Sequence, residues 1–411
     1  MSDHYDALET RSADERAASL AECLPAHVTH AKTNTDYFAR TLAEIDADAI
    51  KTREALAALP VLRKSDLVDL QRKNPPFGGL NATPLADLAR VLISPGPIFE
   101  PEGHAADYYR FARSLFAAGF RRGDLVINTF AYHLTPGGWI GQSGAEALGC
   151  PVIPGGVGNT EQQLDAIAAL KPVGYFGTPA FLKTLLEKAA ETGKDVASLK
   201  KSLVSGGALP PSLRAEIEEL GVTCVQAYAT ADLGLIAYES PAREGMIADE
   251  GAIVEIVRPG TGDPVPDGEV GEVVVTVLNP DYPLIRFATG DLSAVLAGQS
   301  PCGRTNLRIK GWMGRADQTT KVKGMFVHPS QVAEIAARHP EVARARLTVT
   351  GEKGVDAMTL SVEVSGRAEG LRTAIGDTLQ LVTKMRGSVE LVDPGSLAND
   401  GKVIDDQRSY E

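Results

Sequence analysis

The stretch Pro283-Leu284-Ile285-Arg286-Phe287-Ala288-Thr289-Gly290-Asp291-Leu292 is the most specific string in this chain. It predicts a strand and a Thr-Gly-Asp turn that presents the carboxylate of Asp291. An ionised carboxylate accepts two hydrogen bonds at once, which suits the two vicinal hydroxyls of a ribose. Because Thr-Gly-Asp is by itself a common turn, the ribose role depends on what surrounds it.

Two further strings follow on the C-terminal side, and each has two interpretations. The segment Gly314-Arg315-Ala316-Asp317-Gln318-Thr319-Thr320-Lys321-Val322-Lys323-Gly324 predicts an exposed basic hairpin, or a nucleotide contact by Arg315 beside a hinge at Asp317. Gly324 has no Cβ, so its turn allows a ligand to approach closely. In Asn399-Asp400-Gly401-Lys402-Val403 the lysine is either solvated or a mobile ammonium that neutralises developing negative charge.

Helical and short apolar patterns alternate from about residue 105 to residue 240. The stretch AADYYRFARSLFAAG has helical spacing and precedes the strand pattern DLVINTF; four more such alternations end at VTCVQAY. Alternation of this kind predicts a mostly parallel sheet with helices on both faces. Ligands of such sheets bind at the carboxyl ends of the strands.

The pattern changes near residue 250, where AIVEIVRPGTGDPVPDGEVGEVVVTVL predicts antiparallel strands joined by Gly/Pro turns. Residues 1 to about 90 are predicted to be mostly helical, and residues 318–411 to form a small α+β domain. The predicted fold is therefore α/β: a large N-terminal domain, 1–317, with parallel sheets and a β unit, and a small mobile C-terminal domain, 318–411.

Composition narrows the functional classes. The net charge of −12 over 411 residues disfavours nucleic acid as a partner. Four cysteines, Cys23, Cys150, Cys224 and Cys302, lie far apart without a CxxC pair, which disfavours disulfides and a compact zinc site. The polar start predicts no signal peptide, and no apolar run reaches the ~20 residues that cross a bilayer. We expect a soluble, cytoplasmic protein with no membrane partner.

The three strings, in this order, resemble the adenylate-forming superfamily. From about residue 59 onward the chain most resembles the phenylacetate–CoA ligases within it. The segments that carry this closer resemblance are LPVLRKSDLVDL, AGFRRGDLVINTFAYHLTPGGW, GAEALGCPVIPGGVGNTEQQL, LKPVGYFGTPAFL and VKGMFVHPSQVAEI. The resemblance implies ATP, Mg²⁺ and CoA as cofactors, a small carboxylic acid as substrate, and a homodimer.

The resemblance also implies roles for individual residues. Lys402 would act in adenylation, and Asp232 would hold Mg²⁺ and take part in catalysis. The nucleotide site would comprise Ser205, Gly206, Gly207, Ala208, Tyr228, Ala229, Thr230, Asp291 and Arg315. The acyl site would comprise Tyr132, His133, Thr135 and Gly137, although His133 is equally compatible with a structural role. The hinge would be Asp317 and Gln318, and the loop that faces CoA would carry Lys321, Lys323, Gly324 and Phe326.

Three departures from the family pattern concern phosphate binding. Where the family has a Ser/Thr/Gly-rich loop ending in Gly-Lys, this chain has Ile93-Ser94-Pro95-Gly96-Pro97-Ile98-Phe99-Glu100-Pro101-Glu102-Gly103. The prolines remove N–H donors, and Glu100 and Glu102 are expected to repel a polyanion. Ala231 replaces a hydroxyl residue, and Asp232 replaces the usual glutamate.

The resemblance predicts an AMP-forming acid–CoA ligase that works through an acyl-adenylate. Two alternatives stay open at this point: a degenerate relative that binds nucleotide, acyl or CoA ligands without efficient adenylation, and transfer to an acceptor other than CoA. Aryl and short aliphatic acids are both open as substrates.

Overall fold

The computed structural model describes residues 3–258, 262–316, 318, 320–323, 325–327, 329–352, 355–366, 369–398 and 403–408. It divides into two compact units, Met1–Gly314 and Arg315–Glu411. No helix within these ranges is long and apolar enough to cross a membrane.

An eight-stranded sheet forms the centre of the first unit. Its strands are β4 (Val126–Asn128), β5 (Val152–Pro154), β6 (Gly174–Gly177), β7 (Lys201–Val204), β8 (Thr223–Thr230), β9 (Gly234–Tyr238), β10 (Met246–Ala248) and β14 (Arg308–Ile309). Their order is β14-β10-β9-β8-β7-β6-β4-β5. Strands β5, β4, β6, β7 and β8 run parallel, as predicted, and β9, β10 and β14 add antiparallel pairs.

Helix α5 (Ala112–Ala117) precedes β4, and the helices that connect the parallel strands are α6 (Gly137–Leu148), α7 (Thr160–Leu170), α8 (Pro179–Thr192) and α9 (Pro211–Glu219). Their ends follow local chemistry: the Thr178 hydroxyl caps α8, Pro179 is its first residue, and Gly193 ends it with φ of 66°. The predicted helix over residues 105–119 is shorter than expected. Asp107 and Arg110 have φ of 50° and 61°, and the Asp107 carboxylate accepts the N–H groups of Phe111 and Ala112, so the helix begins only at Ala112.

A second sheet carries the string that opened the sequence analysis. Its strands are β1 (Leu62–Arg63), β11 (Ala252–Val257), β12 (Gly271–Val277) and β13 (Phe287–Ser293). Their order in the sheet is β1-β13-β12-β11. The predicted antiparallel unit is confirmed in β11, β12 and β13, while β1 pairs with β13 in parallel. That parallel pairing places the residues after β1 beside Thr289-Gly290-Asp291. These three residues lie within β13, at a register shift against β12 where Gly290 has φ of 74°, and not in the predicted turn after a strand.

The N-terminal region is helical, in α1 (Ala13–Asn34), α2 (Asp36–Thr41), α3 (Arg53–Ala57) and α4 (Leu67–Lys73). A two-stranded antiparallel hairpin follows, formed by β2 (Arg90–Ser94) and β3 (Ile98–Glu102). This β2–β3 hairpin is the segment in which the resemblance predicts an altered phosphate loop.

The second unit contains β15 (Thr320–Val322) paired with β16 (Met325–Val327). It also contains a sheet of β17 (Val342–Glu352), β18 (Val355–Val364), β19 (Ser388–Val392) and β20 (Ile404–Asp406), in the order β19-β18-β17-β20. The helices are α10 (Pro329–Ala337) and α11 (Leu371–Thr383). Leu347, Leu360 and Ile375 belong to one buried cluster of this unit. The α/β class and the small α+β unit agree with the prediction.

Arg286, within the opening string, is a structural residue. Its guanidinium is buried and bonds the Glu255 carboxylate twice, at 3.1 and 3.0 Å, and three backbone carbonyl oxygens, those of Ala57, Leu59 and Gly262. All of its hydrogen-bonding groups therefore tie β13 to β11 and to the N-terminal region. Breaking one side of such a buried pair leaves an uncompensated charge.

We predict that Arg286→Met lowers the free energy of unfolding by about 3–5 kcal/mol, the cost of stranding a buried carboxylate. Arg72→Met is the matched control because its pair with Asp69 is exposed, and it should change stability by no more than about 0.5 kcal/mol. Urea unfolding of both variants measures the difference. An Arg286 variant as stable as the control would show that this ion pair is not a structural requirement.

Candidate active site

The predicted nucleotide and acyl segments converge at the carboxyl edge of the eight-stranded sheet. Ser205, Gly206, Gly207 and Ala208 follow β7, the acyl segment 130–137 follows β4, and Asp232 follows β8. Ser205 is held in place because its N–H donates to the carbonyl of Gly177 at the end of β6. This is the edge where open parallel sheets bind ligands.

Asp291 lies at the point where the two sheets of the first unit meet. The Tyr228 hydroxyl, on β8, donates to its Oδ2 at 2.7 Å, and the Trp312 indole N–H donates to its Oδ1 at 3.0 Å. The backbone N–H of Asp291 donates to the Thr289 hydroxyl at 3.1 Å. The structure thus brings together Tyr228 and Asp291, two residues that the sequence assigned to adenine and to ribose. Ala229 and Thr230 complete the same strand end, and the Thr230 hydroxyl accepts the N–H of Leu233.

A charge cluster lies beside this pair. Lys64, just after β1, donates to Asp232 Oδ2 at 2.5 Å, and the Asp232 side chain is fully buried while a quarter of the Lys64 side chain is exposed. Burial would lower the pKa of Lys64, but the Asp232 carboxylate outweighs it and the pKa is raised. The nearby carboxyl groups of Glu100 and Asp291 also raise the pKa of Lys64. The cluster therefore sets one ammonium among three carboxyl groups.

The glutamates of the β2–β3 hairpin are arranged differently from the sequence expectation. Glu102 pairs with Arg90 at 2.5 Å and accepts from the Tyr109 hydroxyl. Glu100 is buried, and burial together with the nearby Asp232 carboxylate raises its pKa to about 8. Neither side chain is a free, exposed carboxylate, because Glu102 has a partner cation and burial favours the neutral form of Glu100. The repulsion of a polyanion by this hairpin stays a prediction.

The acyl segment presents a fixed aromatic wall. The Tyr132 hydroxyl accepts from Asn128 at 2.7 Å and donates to Gln142 at 2.9 Å, and its ring meets Trp139 edge to face. His133 is exposed. Thr135 is half-buried and donates its N–H to the His133 carbonyl, and Gly137 begins α6.

The predicted hinge and CoA-facing residues lie in the second unit. The Gln318 side chain accepts the N–H of Val403 at 2.8 Å, which fixes the start of the segment leading into β20. Lys321 lies on β15, and its ammonium is 5.8 Å from the centre of the Phe326 ring. Lys323 has φ of 48°, and its N–H donates to Asp356 at 2.7 Å. Arg315 also belongs to this unit, whereas Asp317, Gly324 and Lys402 lie outside the described residues.

Sequence reasoning missed Lys64, Trp312 and the buried position of Glu100. Lys64 stands in a segment that carries the family resemblance, but nothing local indicates that its ammonium meets Asp232, 168 positions away. Only the parallel pairing of β1 with β13 brings that segment to the site. The spacing of residues along the sequence does not indicate which cation pairs with Asp232.

Asp232 can be tested as a ligand for the magnesium ion that the family implies. Its Oδ1 atom is buried and has no hydrogen-bond partner in the part of the chain that the structure describes. Magnesium is usually held by one or two carboxylates together with substrate phosphate oxygens and waters. A single buried carboxylate oxygen without a partner fits that donor set, so the residues present are compatible with the ion.

Comparisons with known proteins agree with this architecture. Residues 137–277 match the family model described as AMP-binding enzyme. The phenylacetate-coenzyme A ligase of Thermus thermophilus is 33% identical over 87% of this chain and 83% of its own length. That of Escherichia coli K12 is 30% identical over 87% and 85%. A crystal structure of 2-hydroxyisobutyryl-CoA ligase with 2-HIB-AMP and CoA superposes with a TM-score of 0.82 at 28% identity, covering 98% of this chain and 92% of that one.

Fold, site and comparisons together define the class: an adenylate-forming enzyme of the AMP-forming acid–CoA ligase type. Within that class the chain belongs to the phenylacetate–CoA ligase family.

We predict that Asp291→Ala weakens AMP binding about tenfold or more, since hydrogen bonds to a charged acceptor contribute about 1.5–3 kcal/mol each. Calorimetry with AMP measures the change. Asp69→Ala, an exposed aspartate on α4, is the control and should bind AMP as the native chain does. Unchanged AMP affinity in a folded Asp291 variant would remove the ribose role from this residue.

Proposed function

We propose that this chain converts a small carboxylic acid, ATP and CoA into an acyl-CoA, AMP and pyrophosphate through an acyl-adenylate. The observation that supports it most is the convergence of Tyr228, Asp291, Asp232 and Lys64 at one sheet edge, beside the acyl segment. This supplies a ribose acceptor, an aromatic face for adenine and a local cation within an acidic protein.

In the first half-reaction the substrate carboxylate attacks the α-phosphorus of ATP and pyrophosphate leaves. Asp291 would accept the ribose hydroxyls, and the Tyr228 ring would stack on adenine while its hydroxyl holds the aspartate. Asp232 would hold Mg²⁺, which when bound offsets phosphate charge, and Lys64 adds a fixed ammonium next to it. Lys402 would neutralise the charge that develops between carboxylate and phosphate.

In the second half-reaction the CoA thiol attacks the acyl carbonyl and AMP leaves. The hinge at Asp317 and Gln318 would let the C-terminal unit withdraw Lys402 and present the loop of Lys321, Lys323, Gly324 and Phe326 to CoA. Domain rearrangements of this kind complete one site at a time and exclude water. A homodimer and a cytoplasmic location are further parts of the proposal.

The acid itself is to be found by experiment. Relatives are named for phenylacetate, and the superposed crystal structure contains 2-hydroxyisobutyryl-AMP, so aryl and short hydroxy acids are the first candidates. ATP–pyrophosphate exchange across a panel of both, followed by acyl-CoA detection, tests the proposal. Exchange with none of the acids would contradict it.

A second candidate function is favoured by the β2–β3 hairpin. The chain would bind nucleotide, acyl or CoA ligands without efficient adenylation, because the hairpin offers few free donors to the β- and γ-phosphates. Pro95, Pro97 and Pro101 have no N–H, and the N–H groups of Ile93 and Phe99 already bond the Leu134 carbonyl and the Gln71 side chain. The two candidates differ in whether ATP is a substrate.

We predict that Lys402→Ala abolishes pyrophosphate exchange but leaves thioester formation from a supplied acyl-adenylate nearly intact. The reason is that its charge is needed only while the carboxylate meets the phosphate. Lys384→Ala, an exposed lysine of the same unit, is the control and should retain both activities. Equal loss of both half-reactions in the Lys402 variant would contradict a lysine that acts in one step only.

We further predict that the native chain binds ATP no more tightly than AMP in the presence of Mg²⁺. A chain in which residues 94–103 are replaced by a Ser/Thr/Gly-rich loop ending in Gly-Lys should gain a preference for ATP of about tenfold, equivalent to about 1.4 kcal/mol. Titration calorimetry gives both dissociation constants. A native preference for ATP of tenfold or more would favour the active ligase over the degenerate relative.

A further inference from the structure

Glu100 and Ser94 form a closed contact on the buried face of the β2–β3 hairpin. Ser94 and Glu100 lie diagonally opposite each other, since Ser94 pairs with Ile98 and Leu92 pairs with Glu100. The backbone N–H of Ser94 donates to Glu100 Oε2 at 3.1 Å, and the Ser94 hydroxyl bonds Oε1 at 2.5 Å. Both residues are buried, with 5% and 1% of their surfaces exposed.

A backbone N–H and a hydroxyl on one residue are the donor set with which turns bind phosphate oxygens. Here a carboxyl group of the same hairpin has taken both. It lies within the electrostatic reach of Lys64 and Asp232, the charged pair of the site. The two carboxyl oxygens of Glu100 therefore already bind the N–H and the hydroxyl of Ser94.

Several other positions of the hairpin cannot replace them. Three prolines lack the N–H group, and the N–H groups of Ile93 and Phe99 bond protein acceptors. Freeing donors at Ser94 therefore requires removal of the Glu100 side chain.

We propose that Glu100 is a specificity-determining residue: its carboxyl group occupies the Ser94 donors, so that the site selects nucleotides that end at the α-phosphate, such as AMP and acyl-adenylates, over ATP. This inference rests on the proposed function, in which the first unit binds the nucleotide. It differs from charge repulsion because Glu102, the other acidic residue of the hairpin, is paired with Arg90.

The test compares dissociation constants for ATP and AMP, with Mg²⁺, in the native chain, Glu100→Ala and Glu100→Gln. Alanine frees both Ser94 donors, so ATP binding should tighten about tenfold while AMP binding stays unchanged; the constant AMP affinity shows that the fold is intact. Glutamine keeps the volume and one acceptor oxygen for the Ser94 donors, so its gain should be at most a third of that of alanine. Glu102→Gln is the matched control and should leave the ATP-to-AMP ratio unchanged.

A double variant tests whether Ser94 supplies the donors that bind ATP in the Glu100 variant. Adding Ser94→Ala to Glu100→Ala should remove at least half of the gain in ATP affinity, because the hydroxyl is then missing. Where Glu100→Ala does not fold, Glu100→Ser replaces it, since serine is short and polar and also leaves the Ser94 groups open.

Three results would overturn the inference: no change of the ATP-to-AMP ratio in a folded Glu100→Ala or Glu100→Ser variant, an equal gain in Glu100→Gln, or equal tightening of AMP. The outcome is separable from that of the proposed function. Acyl-CoA formation by the native chain tests the reaction, whereas the ratio of affinities in the Glu100 variants tests this residue, and either can fail while the other holds.

Discussion

The hydrogen bond from the Tyr228 hydroxyl to the Asp291 carboxylate joins two sheets that are otherwise separate layers of the first unit. Tyr228 lies near the end of a parallel strand, and Asp291 lies in the antiparallel unit that follows it in sequence. Both are buried, and the carboxylate also accepts the Trp312 indole N–H. Hydrogen bonds from such donors offset the cost of burying a carboxylate. The two sheets also share one hydrophobic core, so the site lies where they meet.

The charge cluster beside it depends on the same arrangement. Lys64 follows β1, and β1 reaches the site only because it pairs in parallel with β13, the strand that carries Asp291. One ammonium then serves a set of carboxyl groups, of which Asp232 is directly bonded and Glu100 is driven toward its neutral form. Desolvated charges that lack a partner cost several kcal/mol each. Burial and the Asp232 carboxylate raise the pKa of Glu100, and the neutral form that they favour avoids part of this cost.

The polar groups of the β2–β3 hairpin are largely engaged within the protein. It remains next to the acyl segment through the bond between Ile93 and Leu134, and Arg90 lies over the Trp139 ring at 3.9 Å. Its polar groups, however, bond within the protein: Ser94 with Glu100, and Glu102 with Arg90. The acidic residues of the hairpin are therefore satisfied by partners within the protein.

The sequence alone determined the α/β class, the parallel direction of the central strands, the antiparallel unit and the small α+β unit, because hydrophobic periodicity, turn residues and strand–helix alternation are local signals. It also singled out Asp291, Tyr228 and Asp232 through their motifs. Only the tertiary structure decided that Arg286 is structural, that Glu102 is paired, that Glu100 is buried against Ser94, and that Lys64 belongs to the site. Each of these depends on a contact between segments distant in sequence or on burial, and burial determines both the charge of a carboxyl group and the partners left to it.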